Sequence, residues 1–366
     1  MGANSILALV TDAFGGRGGI AQYNRDLAAA LTRAPGIGRV HLLPRLSPDP
    51  LGSLPPNLTQ HRPRFGRVAY ALAAWRLAVR LKPRWVFCGH LFMAPLAWAV
   101  ARRTGARLIV QTHGVEAWAR PGLPTRLAAE QADLILAVSR HTRARVLDWA
   151  RIAPERVRVV SNTVAEDFAP ADAGRTRSRL NLGEAFVLLT VGRLDARERY
   201  KGHEQLIGLL TGLKNDGLDP VYLVAGEGDD RGRLADLAER LGVADRVRFL
   251  GHAAREDLPD LYAAADLFVL ASSGEGFGIV LLEAMASGAP AVALAAGGAA
   301  DPLADGEFGR LVEESALGAG LAQACRDRVA DRLPRGEMLS TEVRQRFGRP
   351  AFERRVHQCL ERLEAA

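Results

Sequence analysis

The feature that most constrains this chain is a recurrence of short, largely apolar runs separated by stretches of helical periodicity. The runs fall at residues 6–10, 40–43, 85–88, 108–110, 134–138 and 157–160, and again at 186–191, 221–225, 247–250, 267–270 and 291–294. A strand with one wet face alternates apolar and polar residues. A strand that is apolar throughout is buried on both faces, which requires helices above and below a parallel sheet. The pattern therefore predicts an α/β chain with two doubly wound halves. A length of 366 residues suits two domains, and 48% hydrophobic residues suffice for two cores.

The halves are expected at 1–163 and 184–346. Residues 164–183 carry Pro170, Asp172 and Gly174 without a long apolar run, and are expected to link them. In the tail, 347–366, Phe347, Phe352, Val356, Leu360 and Leu363 stand near helical spacing, so a packed amphipathic helix is expected there.

Ligands of such sheets bind beyond the carboxyl ends of the strands. Special turns fall at those ends. Thr11-Asp12-Ala13-Phe14-Gly15-Gly16-Arg17-Gly18-Gly19 follows the first run, and Gln111-Thr112-His113-Gly114 follows the fourth. Gly192-Arg193-Leu194, with Tyr200-Lys201-Gly202 beyond it, follows the run at 186–191. Most telling is the segment from Ser272 to Gly288, which contains Glu275-Gly276-Phe277-Gly278 and then Glu283 on a predicted helix. Glycines admit a close approach of the backbone, and free N–H groups at a helix start attract an anion. Carboxylates beside them suit hydroxyl groups. A diphosphate between two polyols, as in a sugar nucleotide, has this character.

Several classes are disfavoured. No run of 18 apolar residues suggests a membrane span, and residues 5–10 are too short for a signal-peptide core. Cys88, Cys325 and Cys359 have no close spacing, which suits reduced thiols in a cytosol. The histidines are scattered with no HExxH, so no metal site is expected, and no GxxxxGK[ST] loop occurs.

Charge is uneven. Residues 1–163 hold 23 Lys+Arg and 8 Asp+Glu, a balance of +15, whereas 164–366 carry −8. No acidic residue lies between Asp49 and Glu116, an interval with ten basic ones. A basic half of this kind suggests an anionic membrane surface, a phospholipid-linked acceptor or nucleic acid. The arginine-rich composition explains Arg over Lys but not the missing acids. Within residues 62–84, Val68, Leu72, Trp75 and Val79 share one helical face among seven basic residues. That face suits either the core or a membrane surface.

Taken in order, GRL…YKG, AGEG, FLGH and EGFGIVLLEAMASGAP, preceded by GGRGGIAQY and THG, resemble the retaining glycosyltransferases of family 4 (glycosyl transferases group 1) over essentially the whole chain. The resemblance implies the GT-B fold: two Rossmann-like domains facing across a cleft, with the C-terminal helix packing back on the N-terminal domain. It implies hexose transfer with retention from a nucleotide diphosphosugar, GDP-mannose or UDP-glucose, to a hydroxyl acceptor. Front-face displacement is the implied mechanism, with neither metal nor cofactor.

By matching position, Arg193 and Lys201 are expected to bind and neutralise the departing diphosphate. Glu283 is expected on the nucleotide ribose and Glu275 near the sugar hydroxyls, with amides offered by Gly276, Phe277 and Gly278. His113 is expected to face the donor sugar, Gly18 and Gly19 to lie near phosphate and acceptor, and Glu116 and Arg140 to be acceptor contacts. A polyprenyl-diphosphate-linked or other lipid-linked glycan, in surface polysaccharide synthesis, suits the basic half. The protein is then expected in the cytoplasm, peripheral on the inner membrane face, with no nucleic-acid partner. The chain departs from the family at Asn162-Thr163-Val164, where Asn-Gly-Val is usual; threonine disfavours a positive φ.

Three other readings stay open from the residues. Gly16-x-Gly18-x-x-Ala21 loosely fits a dinucleotide fingerprint, but Arg45 rather than an acid stands near the end of the second run. A noncatalytic lipid-binding scaffold would share the fold, and nucleotide-sugar turnover separates it from a transferase; a sugar-nucleotide epimerase on a similar fold is a further enzyme option.

Overall fold

The computed structural model describes residues 4–365. Contacts divide the chain into two compact units, Met1–Thr163 with Arg349–Ala366, and Val164–Gly348. Each is built on one wholly parallel sheet.

The first sheet comprises β1 (Ser5–Val10), β2 (Arg39–Pro44), β3 (Leu58–Gln60), β4 (Trp85–Cys88), β5 (Arg107–Thr112), β6 (Leu134–Ala137) and β7 (Val157–Val159), in the order β3-β2-β1-β4-β5-β6-β7. The second comprises β8 (Val187–Val191), β9 (Val221–Ala225), β10 (Val247–Gly251), β11 (Leu267–Leu270), β12 (Ala291–Leu294) and β13 (Gly309–Val312), in the order β10-β9-β8-β11-β12-β13. Every strand of β1, β4, β6, β9, β11 and β12 is buried at each position. That is why these segments are continuous in apolar residues rather than alternating.

Strand order reverses between β1 and β4 in one sheet and between β8 and β11 in the other. A crevice opens at such a reversal beyond the carboxyl ends, because the following helices leave on opposite faces.

Two strands escape the apolar pattern. β3 reads Leu-Thr-Gln and β13 reads Gly-Arg-Leu-Val. Both are edge strands, paired on one side only, and each is only partly buried.

The expected linker is more structured than its composition suggests. Residues 164–183 belong to the second unit, and within them the helix Ala173–Arg179 packs on the helix Leu258–Ala264. The tail also divides differently. Phe347 ends the helix Gly336–Phe347, and its ring meets Phe277 at 6.1 Å inside the second unit. The helix Arg349–Ala365 belongs to the first unit, against the helix Gly18–Thr32, burying Phe352, Val356, Leu360 and Leu363. Thr163 is not among the residues with positive φ, so the departure from Asn-Gly-Val is accommodated without strain.

Candidate active site

In the second unit, the turns after β8, β9 and β11 are packed so closely that side chains are excluded. A Cβ on Gly226 would lie 1.8 Å from the Gly192 carbonyl oxygen, and one on Gly202 would lie 2.0 Å from that of Ala271. Both glycines also have positive φ, +151° and +79°. Gly202 ends a 3-10 segment, Ala196–Lys201, and thereby presses Tyr200 and Lys201 against the turn after β11. The Ser273 N–H donates to the Tyr200 carbonyl at 2.9 Å.

This zipper brings Lys201 to Glu275, 74 positions on. Nζ donates to Oε2 at 2.9 Å, and the two side chains are only 20% and 16% exposed. Burial pulls the Lys201 ammonium down, but the charge and hydrogen bond of Glu275 outweigh it, leaving the pKa above the ordinary lysine value. Arg193 stands at the rim, 71% exposed, with Nη2 donating to Glu198 Oε1 at 2.5 Å. Glu198 also raises Lys201, so one carboxylate serves both cations.

The turn runs directly into the helix Ile279–Ala286. Gly278, with φ +86°, precedes it and supplies no side-chain cap; its carbonyl accepts the Leu281 N–H at 2.9 Å, which leaves the N–H groups of Ile279 and Val280 without a side-chain cap. Phe277 is buried, its ring against Phe347. Glu283 is buried as well, and its Oε2 accepts from the Tyr262 hydroxyl at 3.0 Å. The structure thus unites Lys201 with Glu275 and sets Arg193 on the adjoining turn, while Glu283 is buried on the following helix and held by Tyr262. Glu198 and Tyr262 went unnoticed in the sequence. The run Ala-Arg-Glu-Arg-Tyr-Lys offered a signal for the first, since a carboxylate between cations balances them. Nothing marked the second.

In the first unit, Gly18 and Gly19 open the helix Gly18–Thr32, with Gly18 at φ +85°. Arg17 beside them is held bidentately by Asp49, at 2.6 and 2.8 Å. His113 follows β5. Its Nε2 lies 2.9 Å from the Gly89 carbonyl oxygen, which fixes that nitrogen as the protonated one, and its ring meets Tyr23 edge-on at 5.3 Å. Burial pushes its pKa down to about 4, against the pull of the Gly89 carbonyl, so the imidazole is neutral. Glu116 is engaged structurally: its Oε1 accepts the His113 backbone N–H at 2.5 Å. Arg140 is exposed at the start of the helix Arg140–Trp149. His90, at the end of β4, lies 5.9 Å from His113 ring to ring and was not foreseen; its place after an apolar strand was the available signal.

Residues 174–349 match the sequence pattern of glycosyl transferases group 1, and residues 17–168 match glycosyltransferase family 4. A D-inositol 3-phosphate glycosyltransferase of Acidothermus cellulolyticus is 31% identical over 316 residues, covering 79% of this chain and 68% of that protein. The chain belongs to the family 4 glycosyltransferases. Another relative in the family, a GDP-mannose-dependent α-(1-6)-phosphatidylinositol monomannoside mannosyltransferase of Mycolicibacterium smegmatis, is 36% identical over 65% of each chain. The match thus spans just under two thirds of that relative's length. The sucrose-phosphate synthase of Thermosynechococcus elongatus shares the fold of this family 4 chain with a TM-score of 0.81 at 21% identity, over 99% of this chain and 100% of that one. The fold class expected from the sequence is the one observed.

Proposed function

We propose that the protein transfers a hexose from a nucleotide diphosphosugar to a hydroxyl acceptor, with retention of anomeric configuration. The observation that carries the reading is the buried Lys201–Glu275 pair at the β8/β11 reversal, beside Arg193 and an uncapped helix start. A diphosphate gains negative charge as it leaves. Cations already fixed by carboxylates stabilise that charge without having to reorganise. In this reading Lys201 and Arg193 meet the diphosphate, the amides after Glu275 cradle it, and Glu275 orients a sugar hydroxyl once Lys201 turns to phosphate. Glu283 takes the ribose hydroxyls, its orientation set by Tyr262. The leaving phosphate oxygen accepts the acceptor's proton on the same face of the sugar. The two cations and the amides supply the charge stabilisation, so no metal is required in this scheme.

GDP-mannose is the favoured donor and UDP-glucose the second, in line with the mannosyltransferase relative. A lipid-linked acceptor, in surface glycan synthesis at the inner membrane face, fits both the basic first unit and the phosphatidylinositol acceptor in that relative's name. His113 is assigned to the transferred sugar and Gly18 and Gly19 to the acceptor side. A thermal-shift panel of GDP, UDP and ADP sugars tests the donor. A shift with GDP-mannose exceeding that with every other sugar nucleotide supports the reading; equal indifference to all of them defeats it.

A further inference from the structure

The helix Arg67–Leu81 is apolar on two opposite faces. Tyr70, Ala74, Leu77 and Ala78 are buried against the sheet. Val68, Leu72, Trp75 and Val79, at spacings of four, three and four, form a stripe on the far side and are 73%, 49%, 41% and 41% exposed. Phe65, just before the helix, is 73% exposed. A surface helix needs one apolar face, and a second in register along its length marks a surface that something covers.

Charge identifies what covers it. Arg62, Arg64, Arg67, Arg76 and Arg80 surround the stripe, and none forms an ion pair with an acidic side chain among the described residues. Elsewhere the arginines are commonly paired, as Arg17 is to Asp49 and Arg233 to Asp230. A groove of about 560 Å³ opens beside the stripe, lined by Arg62, Arg64, Arg76 and Arg80 with Leu72 and Ala73. Guanidinium groups over apolar side chains suit a phosphate joined to hydrocarbon.

We propose that this face docks on an anionic phospholipid bilayer, the stripe entering the interface and the arginine groove taking headgroup phosphates. The inference deepens the reading of a lipid-borne acceptor, but its test is independent of sugar transfer.

The full chain is co-sedimented with vesicles of pure phosphatidylcholine and of phosphatidylcholine with phosphatidylglycerol. Binding is expected only with the anionic lipid, and it should weaken about tenfold or more at 1 M salt, where the Debye length is about 3 Å. Arg62→Glu, Arg64→Glu and Arg67→Glu together should lower binding by a similar factor; a glutamate at position 67 suits a helix start, so folding is spared. Val68→Asp with Trp75→Ser should weaken binding at low salt even with all arginines in place. A thermal shift with the nucleotide sugar, retained by each variant, separates lost docking from lost fold and from failure of the donor reading.

Equal binding to neutral vesicles, no binding to anionic ones, or indifference to both sets of substitutions would overturn the proposal. So would lipid-free self-association, seen by sedimentation velocity and abolished by Val68→Asp with Trp75→Ser, since a second copy would then be the occupant.

Discussion

Lys201 and Glu275 form a 2.9 Å ion pair across two turns that are 74 residues apart in sequence, with both side chains largely shielded from water. Removing one partner leaves the other charge shielded and unmatched. Lys201→Met is therefore expected to destabilise the protein by about 2 kcal/mol, less than the roughly 3–5 of a fully buried pair. Lys201→Met combined with Glu275→Gln should recover part of that loss. Urea unfolding of the two singles and the double measures the coupling; strictly additive effects would contradict it.

The glycine packing makes a sharp comparison. Gly202→Ala forces a Cβ to within 2.0 Å of the Ala271 oxygen at a φ of +79°. It should cost about 2 kcal/mol or more. Gly192 has no atom near its would-be Cβ. Gly192→Ala should keep the melting temperature yet weaken donor binding, because the methyl group would occupy space left for the diphosphate. Thermal melts with and without nucleotide sugar separate the two outcomes, and equal melting temperatures for both variants would sink the argument.

Tyr262 donates to the buried carboxylate of Glu283. Tyr262→Phe leaves that acceptor short of a partner and should destabilise by about 1–3 kcal/mol. Glu283→Gln should instead raise the donor KM more than it alters stability. Kinetics and melts on both variants decide this; a KM unchanged in Glu283→Gln would remove Glu283 from the donor site.

Three histidines set an acid limit. Burial pushes His90, His113 and His203 each down to about 4 from 6.5. The unfolded chain therefore takes up protons first as pH falls. The stability these groups contribute is complete above about 6.5 and declines toward 4, by at most about 1.4 kcal/mol per pH unit for each group. Melting temperature should fall between pH 6.5 and 5, before most carboxylates titrate. A flat profile there would mean that the imidazoles are not desolvated.

The sheets were legible because double burial forces continuous apolar runs, as at Leu267–Leu270. The strands Leu58–Gln60 and Gly309–Val312 were not, since their short mixed sequences, Leu-Thr-Gln and Gly-Arg-Leu-Val, form no apolar run. Glycine turns pointed to the candidate site, and close backbone approach admits no other residue at Gly202 or Gly226. What sequence spacing lacked was partnership. Lys201 and Glu275 each suggested a ligand contact, yet their pairing depends on how two turns meet. Likewise, Val68, Leu72, Trp75 and Val79 were visible as a face, but only the position of the sheet decides that Tyr70 and Leu77 turn inward and the stripe outward.

The most direct measurement is single-turnover transfer from GDP-mannose by the wild type, Lys201→Ala and Arg193→Ala, with the anomeric configuration of the product read by NMR. If preorganised cations stabilise the departing diphosphate, each substitution should slow transfer by about 10²–10³-fold while the fold survives, and the wild-type product should be the α-mannoside. Near wild-type rates in both variants, or an inverted product, would contradict the account.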